Sequence, residues 1–374
     1  MQFPTSYTYE AASAARILTP VAGYSSVWRT LANLDIPQTS SNKYLGGVLA
    51  PNGHIYMVPY NADNIGDFDP STGFSNIDIS GVISYDGKYR GGVLAPNGHI
   101  YIVPCNADNI GDFDPSTGAF SVIDISSVIT HSYKYIGGVL APNGHIYMVP
   151  SNANSIGDFD PSTGAFSVID ISSVISHIDK YAGGVLAPNG HIYMVPHDAS
   201  GIGDFDPVTA AFSAIDISGV ISHVNKYYGG VLAPNGHIYM IPWDVHSIGD
   251  FDPSSGAFSI IDISSFITHN YKYLGGVLAT NGHIYMIPYH AHSIGDFDPS
   301  TGVFSAIDIS DRFNSHEGKY AGGVLGPDGY VYMVPHIANS LFRMRDSNQE
   351  AAYTVAGGVP VTWGPLLSPH FNKF

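Results

Sequence analysis

The phrase KYLGGVLAPNGHIYMVP occurs seven times, with small changes, along this 374-residue chain. The intervals between successive copies are 45, 46, 46, 46, 46 and 47 residues. The copies begin at Lys43, Lys88, Lys134, Lys180, Lys226, Lys272 and Lys319. Such regular self-similarity indicates a repeat architecture, in which each copy is one structural unit that packs on its neighbours.

Each unit divides into four segments of strand length. GGVLAP is followed by Asn-Gly, a strong hairpin signal, and then by HIYMVP, IGDFDP, a PSTG turn and AFSVIDIS. No segment has the apolar period of a helix. Seven units of this length, close to the WD40 period and slightly short of the kelch period, predict an all-β, seven-bladed β-propeller of four-stranded blades. The Gly-Gly pair fits the innermost strand, where seven strands crowd together.

Closure of the ring is the least regular part of the pattern. The seventh unit has a degenerate third strand near Leu341 and no clear fourth strand. The apolar pattern of Ser26–Ile36 predicts that an N-terminal strand completes the last blade, and 352–355 is the alternative. The predicted organisation is therefore an N-terminal extension (1–25), a propeller (26–348) and a tail (349–374). We expect the tail, with Trp363 and Phe371, to pack on the ring or on a partner.

Charge and composition exclude several classes of function. The chain has 44% hydrophobic and only 12% charged residues, which does not indicate disorder. It carries 31 Asp and Glu against 14 Lys and Arg, and it has no basic cluster. Because binding to a phosphate backbone or an anionic membrane needs clustered cations, we expect neither nucleic acid nor a membrane surface as partner.

The surroundings of the chain can be predicted in outline. Its single cysteine, Cys105, allows no internal disulfide, which favours a reducing compartment. The N-terminal residues lack the pattern of a signal peptide, and no apolar run is long enough for a membrane span. These observations predict a cytoplasmic or virion location.

The GGVLAPNG-HIY-VP, FDPSTG and IDIS phrases, and the ending LLSPHFNKF, resemble a family of propeller repeats from microalgae, other protists and some large DNA viruses. The resemblance covers nearly the whole chain. It implies a propeller and an algal or viral setting, and it supplies no activity or functional residue.

Two loops are nearly constant among the units and two vary. PNGH, between the first and second strands, and DPSTG, between the third and fourth, should share one face, the constant-loop face. The loop after the second strand and the connection between units should share the opposite face, the variable-loop face. Variable loops on a rigid scaffold commonly carry function, although drift after duplication would also produce variation. The residues predicted to bind a partner are Tyr60, Asp63, Tyr133, His177, His197, His223, Trp243, His246, His269, Tyr289, His290, His292 and His336.

Two other sets of polar residues recur too regularly to mark a single site. A histidine after each Asn-Gly turn, such as His54, should be satisfied locally, because equivalent atoms of neighbouring blades lie on a wide circle. In pairs such as Asp67 and Asp69, we expect the second carboxylate to cap its turn, and the first to accept bonds from the backbone or a tyrosine of a neighbouring blade. We predict no metal and no cofactor. Adventitious metal binding at His246, His290 and His292, or a calcium loop at the Asp pairs, is the alternative.

The sequence thus favours a non-catalytic binding or scaffold propeller that engages a protein or glycan partner through one face, as part of a larger assembly such as a virion. Common nucleophile, zinc-protease and P-loop motifs are absent. Near-identical units also lack the asymmetry that catalysis needs. The alternatives are a lectin-like propeller, with sites near Tyr60, Trp243 and Tyr289, and a propeller lyase or hydrolase with a site at the channel mouth.

Overall fold

A computed structural model describes residues 29–37, 40–312 and 317–346. These residues form seven four-stranded antiparallel sheets, and the first strand of each sheet packs beside the first strands of its two neighbours, which closes a ring. The predicted seven-bladed β-propeller is confirmed. The predicted extension, the tail and the alternative closing segment lie outside the described residues. No helix in the described ranges is long and apolar enough to cross a membrane.

Six blades are continuous in sequence, each running from its innermost to its outermost strand. Blade 1 contains β2 (Tyr44–Leu49), β3 (Ile55–Pro59), β4 (Asn64–Asp69) and β5 (Gly73–Asp78). Blade 2 contains β6 (Tyr89–Leu94), β7 (Ile100–Pro104), β8 (Asn109–Asp114) and β9 (Ala119–Asp124). Blade 3 contains β10 (Tyr135–Leu140), β11 (Ile146–Pro150), β12 (Ser155–Asp160) and β13 (Ala165–Asp170). Blade 4 contains β14 (Tyr181–Leu186), β15 (Ile192–Pro196), β16 (Gly201–Asp206) and β17 (Ala211–Asp216).

The remaining blades follow the same plan until the last strand of the ring. Blade 5 contains β18 (Tyr227–Leu232), β19 (Ile238–Pro242), β20 (Ser247–Asp252) and β21 (Ala257–Asp262). Blade 6 contains β22 (Tyr273–Leu278), β23 (Ile284–Pro288), β24 (Ser293–Asp298) and β25 (Val303–Asp308), and a short 3₁₀ turn (Ser310–Arg312) follows it. Blade 7 contains β26 (Tyr320–Leu325), β27 (Val331–Pro335) and β28 (Ser340–Asp346), with β1 (Arg29–Asp35) as its outer strand.

Blade 7 is closed by the N-terminal strand, as the sequence predicts. β1 runs antiparallel to β28 in an unbroken register from Arg29 opposite Asp346 to Asp35 opposite Ser340. The guanidinium of Arg29 bonds Asp346 and also reaches Asp296 of blade 6. The closing strand is thus held by its own blade and by an ion pair to the neighbouring blade.

The Gly-Gly pair of each first strand has two separate roles. In blade 3, Gly137 has a φ of 77° and lies where the register between β10 and β11 shifts. A Cβ on Gly138 would lie 3.0 Å from Val103 Cγ2 and 3.1 Å from Val93 Cγ2 of blade 2. The first glycine therefore permits the irregularity. The second permits the close approach of blades that the sequence predicts.

The core lies between blades, because both faces of each sheet are covered. In six blades a buried tyrosine of the second strand packs on a phenylalanine of the next blade's third strand, and in blade 6 Tyr285 shares a cluster with Met344 of blade 7. Tyr56 meets Phe113 with ring centroids 4.8 Å apart, and Tyr101 meets Phe159 at the same separation. Such clusters join neighbouring blades, which explains why the apolar pattern recurs from unit to unit.

The lysine that opens each repeated phrase is buried at the junction between two blades. Lys88 is 0% exposed, and its ammonium donates to the carbonyls of Tyr85 at 2.7 Å and Asn61 at 3.3 Å. It also contacts Asp63. Burial lowers the pKa of Lys43, Lys180, Lys226, Lys272 and Lys319 to about 8. These lysines join the variable loops of adjacent blades, which gives an architectural reason for their presence in every unit.

Candidate binding site at the channel mouth

The residue after each second strand lies at the mouth of the central channel on the variable-loop face. Its backbone N–H donates to the backbone carbonyl of the lysine in its own blade, and its backbone carbonyl accepts from the N–H of the lysine in the next blade. In blade 1, the N–H of Tyr60 donates to Lys43 and the carbonyl of Tyr60 accepts from Lys88, both at 2.9 Å. These bonds form a complete circle around the channel. We call the residues the mouth ring: Tyr60, Cys105, Ser151, His197, Trp243, Tyr289 and His336. Their backbones are therefore held equally in all blades while their side chains differ.

A second ring lies inside the channel, beneath the mouth ring. It consists of the residue between the tyrosine and the Gly-Gly pair of each first strand. We call these residues the channel ring: Leu45, Arg90, Ile136, Ala182, Tyr228, Leu274 and Ala321. Apart from Arg90, they pack into one hydrophobic cluster with Trp243, with Tyr60 and Tyr289 beside it. Arg90 is the single charged member of this ring.

Most residues of the two rings line an open cavity of about 330 Å³. Its wall contains an arc of rings that runs from His197 through Tyr228, Trp243 and Tyr289 to His336, with neighbouring centroids 5.0–5.9 Å apart. Tyr60 continues the arc, at 6.1 Å from His336. Ser151, Asn42 and Asp179 supply polar lining. The cavity thus combines an aromatic wall with a few polar groups, as small-molecule and side-chain pockets commonly do.

Arg90 closes the arc across the cavity. Its guanidinium donates to the hydroxyls of Tyr228 at 3.2 Å and Tyr60 at 3.3 Å. It also lies over the rings of Tyr60 and Tyr133, 5.2 Å and 5.4 Å from their centroids. Its Nε is buried and has no partner in the described ranges. Two tyrosine rings and two tyrosine hydroxyls therefore hold the Arg90 cation in the cavity wall. One N–H of each terminal nitrogen is left without a partner among these groups.

The imidazoles of the mouth ring are neutral at pH 7. His336 is 4% exposed, and its Nδ1 bonds the carbonyl oxygen of Tyr44 at 2.9 Å. Burial, with lesser contributions from the charges of Arg90 and Lys43, lowers the pKa of His336 to about 4. Burial also lowers the pKa of His197 and raises that of the Cys105 thiol, which is fully covered. The positive charge in the cavity wall is accordingly that of Arg90.

The next position of the variable loop is architectural in five blades. The side-chain oxygen of Asn61, Asn106 or Asn152 accepts a bond of 2.9 Å from a backbone N–H of the following connection. Asp198 and Asp244 do the same at 2.7 Å and 2.8 Å. The residues that donate these bonds, such as Tyr133, adopt left-handed backbone with φ near 50° to 70°. His290 replaces the acceptor in blade 6 and stacks on Tyr289 with centroids 4.9 Å apart.

The predicted partner-binding residues fall into two groups. Tyr60, His197, Trp243, Tyr289 and His336 meet at the cavity, where Trp243 and His336 are almost covered. The others lie around them on the variable-loop face: Asp63, Tyr133, His177, His223, His246, His269, His290 and His292. Asp63 pairs with Lys88, and the rings of His269 and His292 meet at 5.1 Å. Their role in binding a partner stays a prediction.

On the constant-loop face the polar side chains are engaged in local hydrogen bonds. His54 Nδ1 bonds Asp67 at 2.7 Å across two strands of one blade, and five further blades repeat the pair. The locally satisfied histidine is confirmed. In six blades the first Asp accepts its bond from a histidine of its own sheet, and not from the backbone or a tyrosine of a neighbouring blade as expected. In blade 6, Asp296 also accepts a bond from Arg29 of blade 7. Asp69 caps its turn as predicted, and bonds from Ser71 and Thr72 lower the pKa of Asp69 to about 2.

No group of three or more His, Cys, Asp or Glu residues in the described part of the chain is arranged to hold a metal ion. His246, His290 and His292, which the sequence brings together by spacing, occupy equivalent loops of two neighbouring blades. His316 lies outside the described residues.

Sequence reasoning missed Arg90 and the rest of the channel ring. The signal was present, because the residue before Gly-Gly changes in an otherwise constant phrase: Leu, Arg, Ile, Ala, Tyr, Leu and Ala. The sequence analysis treated the whole phrase as architectural. A side chain that faces an open channel does not pack on a neighbouring blade. Its position can therefore vary within an otherwise constant strand.

Comparison with known proteins supports the fold. No family model and no curated protein matches the chain. Among solved structures, a streptogramin B lyase superposes with a TM-score of 0.70 at 16% identity, over 85% of this chain and 98% of that one. An inactive virginiamycin B lyase from Staphylococcus aureus with quinupristin gives 0.70 at 15% identity, over 84% and 99%. YCF48 bound to D1 peptide gives 0.61 at 13%, over 87% and 98%. These propellers include enzymes and a peptide binder, and their identity to this chain is low. They therefore show the fold alone.

Proposed function

We propose that this propeller is a non-catalytic binding module, which holds a protein partner at the channel mouth on its variable-loop face within a larger assembly. The observation that supports it most is the segregation of side chains. Residues that differ among the seven copies meet in one cavity, whereas those of the constant-loop face bond one another. Aromatic residues at a rigid, concave surface are the usual anchors of an interface.

Rigidity of the mouth also favours binding. The circle of backbone bonds fixes each mouth-ring residue to two blades, so that little order is lost when a partner enters. A viral or algal setting, and a place in a virion, remain part of the proposal, on the resemblance of the repeated phrases.

The test uses defined ligands and two matched double variants. A displayed peptide library is selected on the full chain, and the enriched peptides are measured by calorimetry. Replacement of Tyr60 and Tyr289 by Ala should weaken binding about tenfold or more, since anchors of this kind contribute most of an interface's affinity. Replacement of His99 and His145 by Ala, on the constant-loop face, should change affinity less than about twofold.

Melting temperatures of both variants serve as the control for folding. Equal loss of peptide binding in the two variants, or loss in the constant-loop variant alone, would contradict the proposal.

A glycan ligand is the second candidate, because the half-exposed rings of Tyr60 and Tyr289 could stack on sugars. A glycan array probed with the wild-type chain and with the Tyr60 and Tyr289 variant separates the two candidates. Binding to glycans that the variant loses would favour the lectin. An array without signal removes it.

An enzyme is the third candidate. The cavity holds two neutral imidazoles and an arginine, and a streptogramin B lyase shares the fold. Incubation with quinupristin, followed by mass spectrometry, tests the lyase form. An unchanged substrate at high enzyme concentration would exclude that chemistry for this compound.

A further inference from the structure

Arg90 does not serve the architecture of the ring. At the equivalent position, the other six blades carry Leu, Ile, Ala or Tyr with the same strand geometry. A long cation at this position must be taken partly out of water, which costs free energy unless the charge is paired. The fold therefore tolerates this residue and gives no reason for it.

The charge of Arg90 has no anionic partner in the described residues. Arg29 and Arg312, by contrast, each lie within ion-pair distance of a carboxylate. Asp179 lies on the wall of the same cavity but forms no ion pair with the guanidinium. The two tyrosine hydroxyls take one N–H each from the terminal nitrogens, so that the second N–H of each terminal nitrogen is left over, while the Nε–H is buried away from the cavity.

An unpaired Nε does not by itself indicate a ligand. Arg343 has the same feature and also stacks on a tyrosine, with its guanidinium 4.6 Å from the ring centroid of Tyr330. Arg343 lies on β28, outside the residues that line the cavity. What distinguishes Arg90 is an open cavity of side-chain size in front of it, with aromatic walls.

We propose that the cavity at the channel mouth binds a single carboxylate and that Arg90 is its receptor. A guanidinium presents parallel N–H groups that match the two oxygens of a carboxylate. The aromatic arc fits an apolar or aromatic group attached to that carboxylate. The volume, near the lower limit for ligand pockets, admits one small acid or one acidic side chain. Asp179 in the cavity wall, and a net charge of −17, disfavour doubly charged anions.

This inference rests on the proposed function for the location of the site and adds the chemistry of what enters it. The same carboxylate could belong to a free organic acid or to an Asp or Glu side chain of a protein partner. The experiment has separate arms for these two sources.

The first arm is run at pH 8 and uses phenylacetate, with phenylacetamide as its uncharged equivalent and inorganic phosphate, which is mostly doubly charged at that pH. Calorimetry or ligand-observed NMR measures each on the wild-type chain, Arg90→Leu and Arg343→Leu. Arg90→Leu places at blade 2 the residue that blades 1 and 6 already have, so it should fold. We expect this substitution to lower the affinity for phenylacetate about tenfold or more, which is the loss that follows removal of a charge-assisted hydrogen bond.

Arg343→Leu should bind phenylacetate as the wild type does, and the amide and phosphate should bind at least about tenfold more weakly than phenylacetate. Equal affinity for acid and amide, or an unchanged affinity in Arg90→Leu, would overturn the carboxylate site. So would an equal loss in both arginine variants.

The second arm uses the peptides selected for the channel mouth. The carboxylate comes from a protein partner if two results are found. The selected peptides carry Asp or Glu, and their affinity falls by a similar factor whether Arg90 is replaced by Leu or the acidic residue of the peptide is replaced by Gln. If phenylacetate depends on Arg90 but the peptides do not, the site takes free acids and the peptide-binding face stands apart from it. If neither ligand depends on Arg90, the carboxylate site is wrong while the binding face is unaffected.

Discussion

At the scale of single residues, the seven copies provide internal controls that few proteins offer. The same backbone position can be compared in seven surroundings, as with the channel ring, where Arg90 stands among apolar residues. The comparison separates positions that the fold requires, such as the second glycine of each pair, from those that it leaves free.

Gly184 should be intolerant of a side chain. An alanine Cβ would lie 2.9 Å from Val149 Cγ2 and 3.2 Å from Val139 Cγ2 of blade 3. Because a packed core resists added volume, Gly184→Ala should lower the free energy of unfolding by about 1–3 kcal/mol, measured by urea denaturation. The matched control is Gly219→Ala, where nothing lies within 4 Å of the added atom and the change should be within about 1 kcal/mol. Similar effects in the two variants would contradict this account.

His336 should make stability depend on pH. Its pKa in the folded chain is about 4, below the ordinary value of 6.5, because burial disfavours the charged form. Between these values the unfolded chain binds more protons, so stability falls as the pH falls from 6.5 towards 4. Relative to His336→Asn, the wild type should lose about 2–3 kcal/mol between pH 7 and pH 4. Denaturation at several pH values provides the measurement, and parallel curves for the two proteins would exclude a neutral buried imidazole.

At the scale of elements, β1 is the strand on which the ring depends. It covers the edge of β28 along its full register, and Leu31 packs into the core cluster shared by blades 6 and 7. Without it, β28 would present unpaired N–H and C=O groups, which is a template for association with another chain.

Deletion of residues 1–36 should therefore lower the melting temperature and produce dimers or larger species, measured by calorimetry and by light scattering after size exclusion. Deletion of residues 1–25 leaves β1 in place. This control should have the same oligomeric state and the same melting temperature as the full chain. A shorter chain without β1 that melts and elutes like the control would show that another segment closes blade 7.

At the scale of the whole molecule, the sequence predicted the architecture more fully than the site. The repeat period, the Asn-Gly hairpins and the missing fourth strand of the last unit were sufficient for the ring and its closure. The sequence pattern did not predict the contacts that form only when the strands assemble into blades. The bond from His54 to Asp67 links the start of one strand to the next strand of the blade. Arg90, which lines the cavity, lies within the register shift between β6 and β7.

The two faces of the ring differ in how their polar groups are used. On the constant-loop face, His, Asp, Ser and Thr side chains form hydrogen bonds within turns and between strands. On the variable-loop face, aromatic rings and a cation line a cavity. Tyr60 and Tyr289 were predicted for this site from loop variation. The near-complete burial of Trp243 and His336 was not, since loop position alone does not show that a ring turns inward over the channel.

Closure by β1 has a consequence for the order of events during synthesis. Arg29 emerges from the ribosome 317 residues before Asp346, its partner in the finished sheet. At roughly 5–20 residues per second, the earliest strand waits about 15–60 seconds for the latest one. Throughout that interval the growing arc has two open ends, and the nascent chain is exposed to mispairing with its neighbours on the same messenger RNA. A product that terminates early can never complete its circle, so the fold itself distinguishes finished chains from unfinished ones.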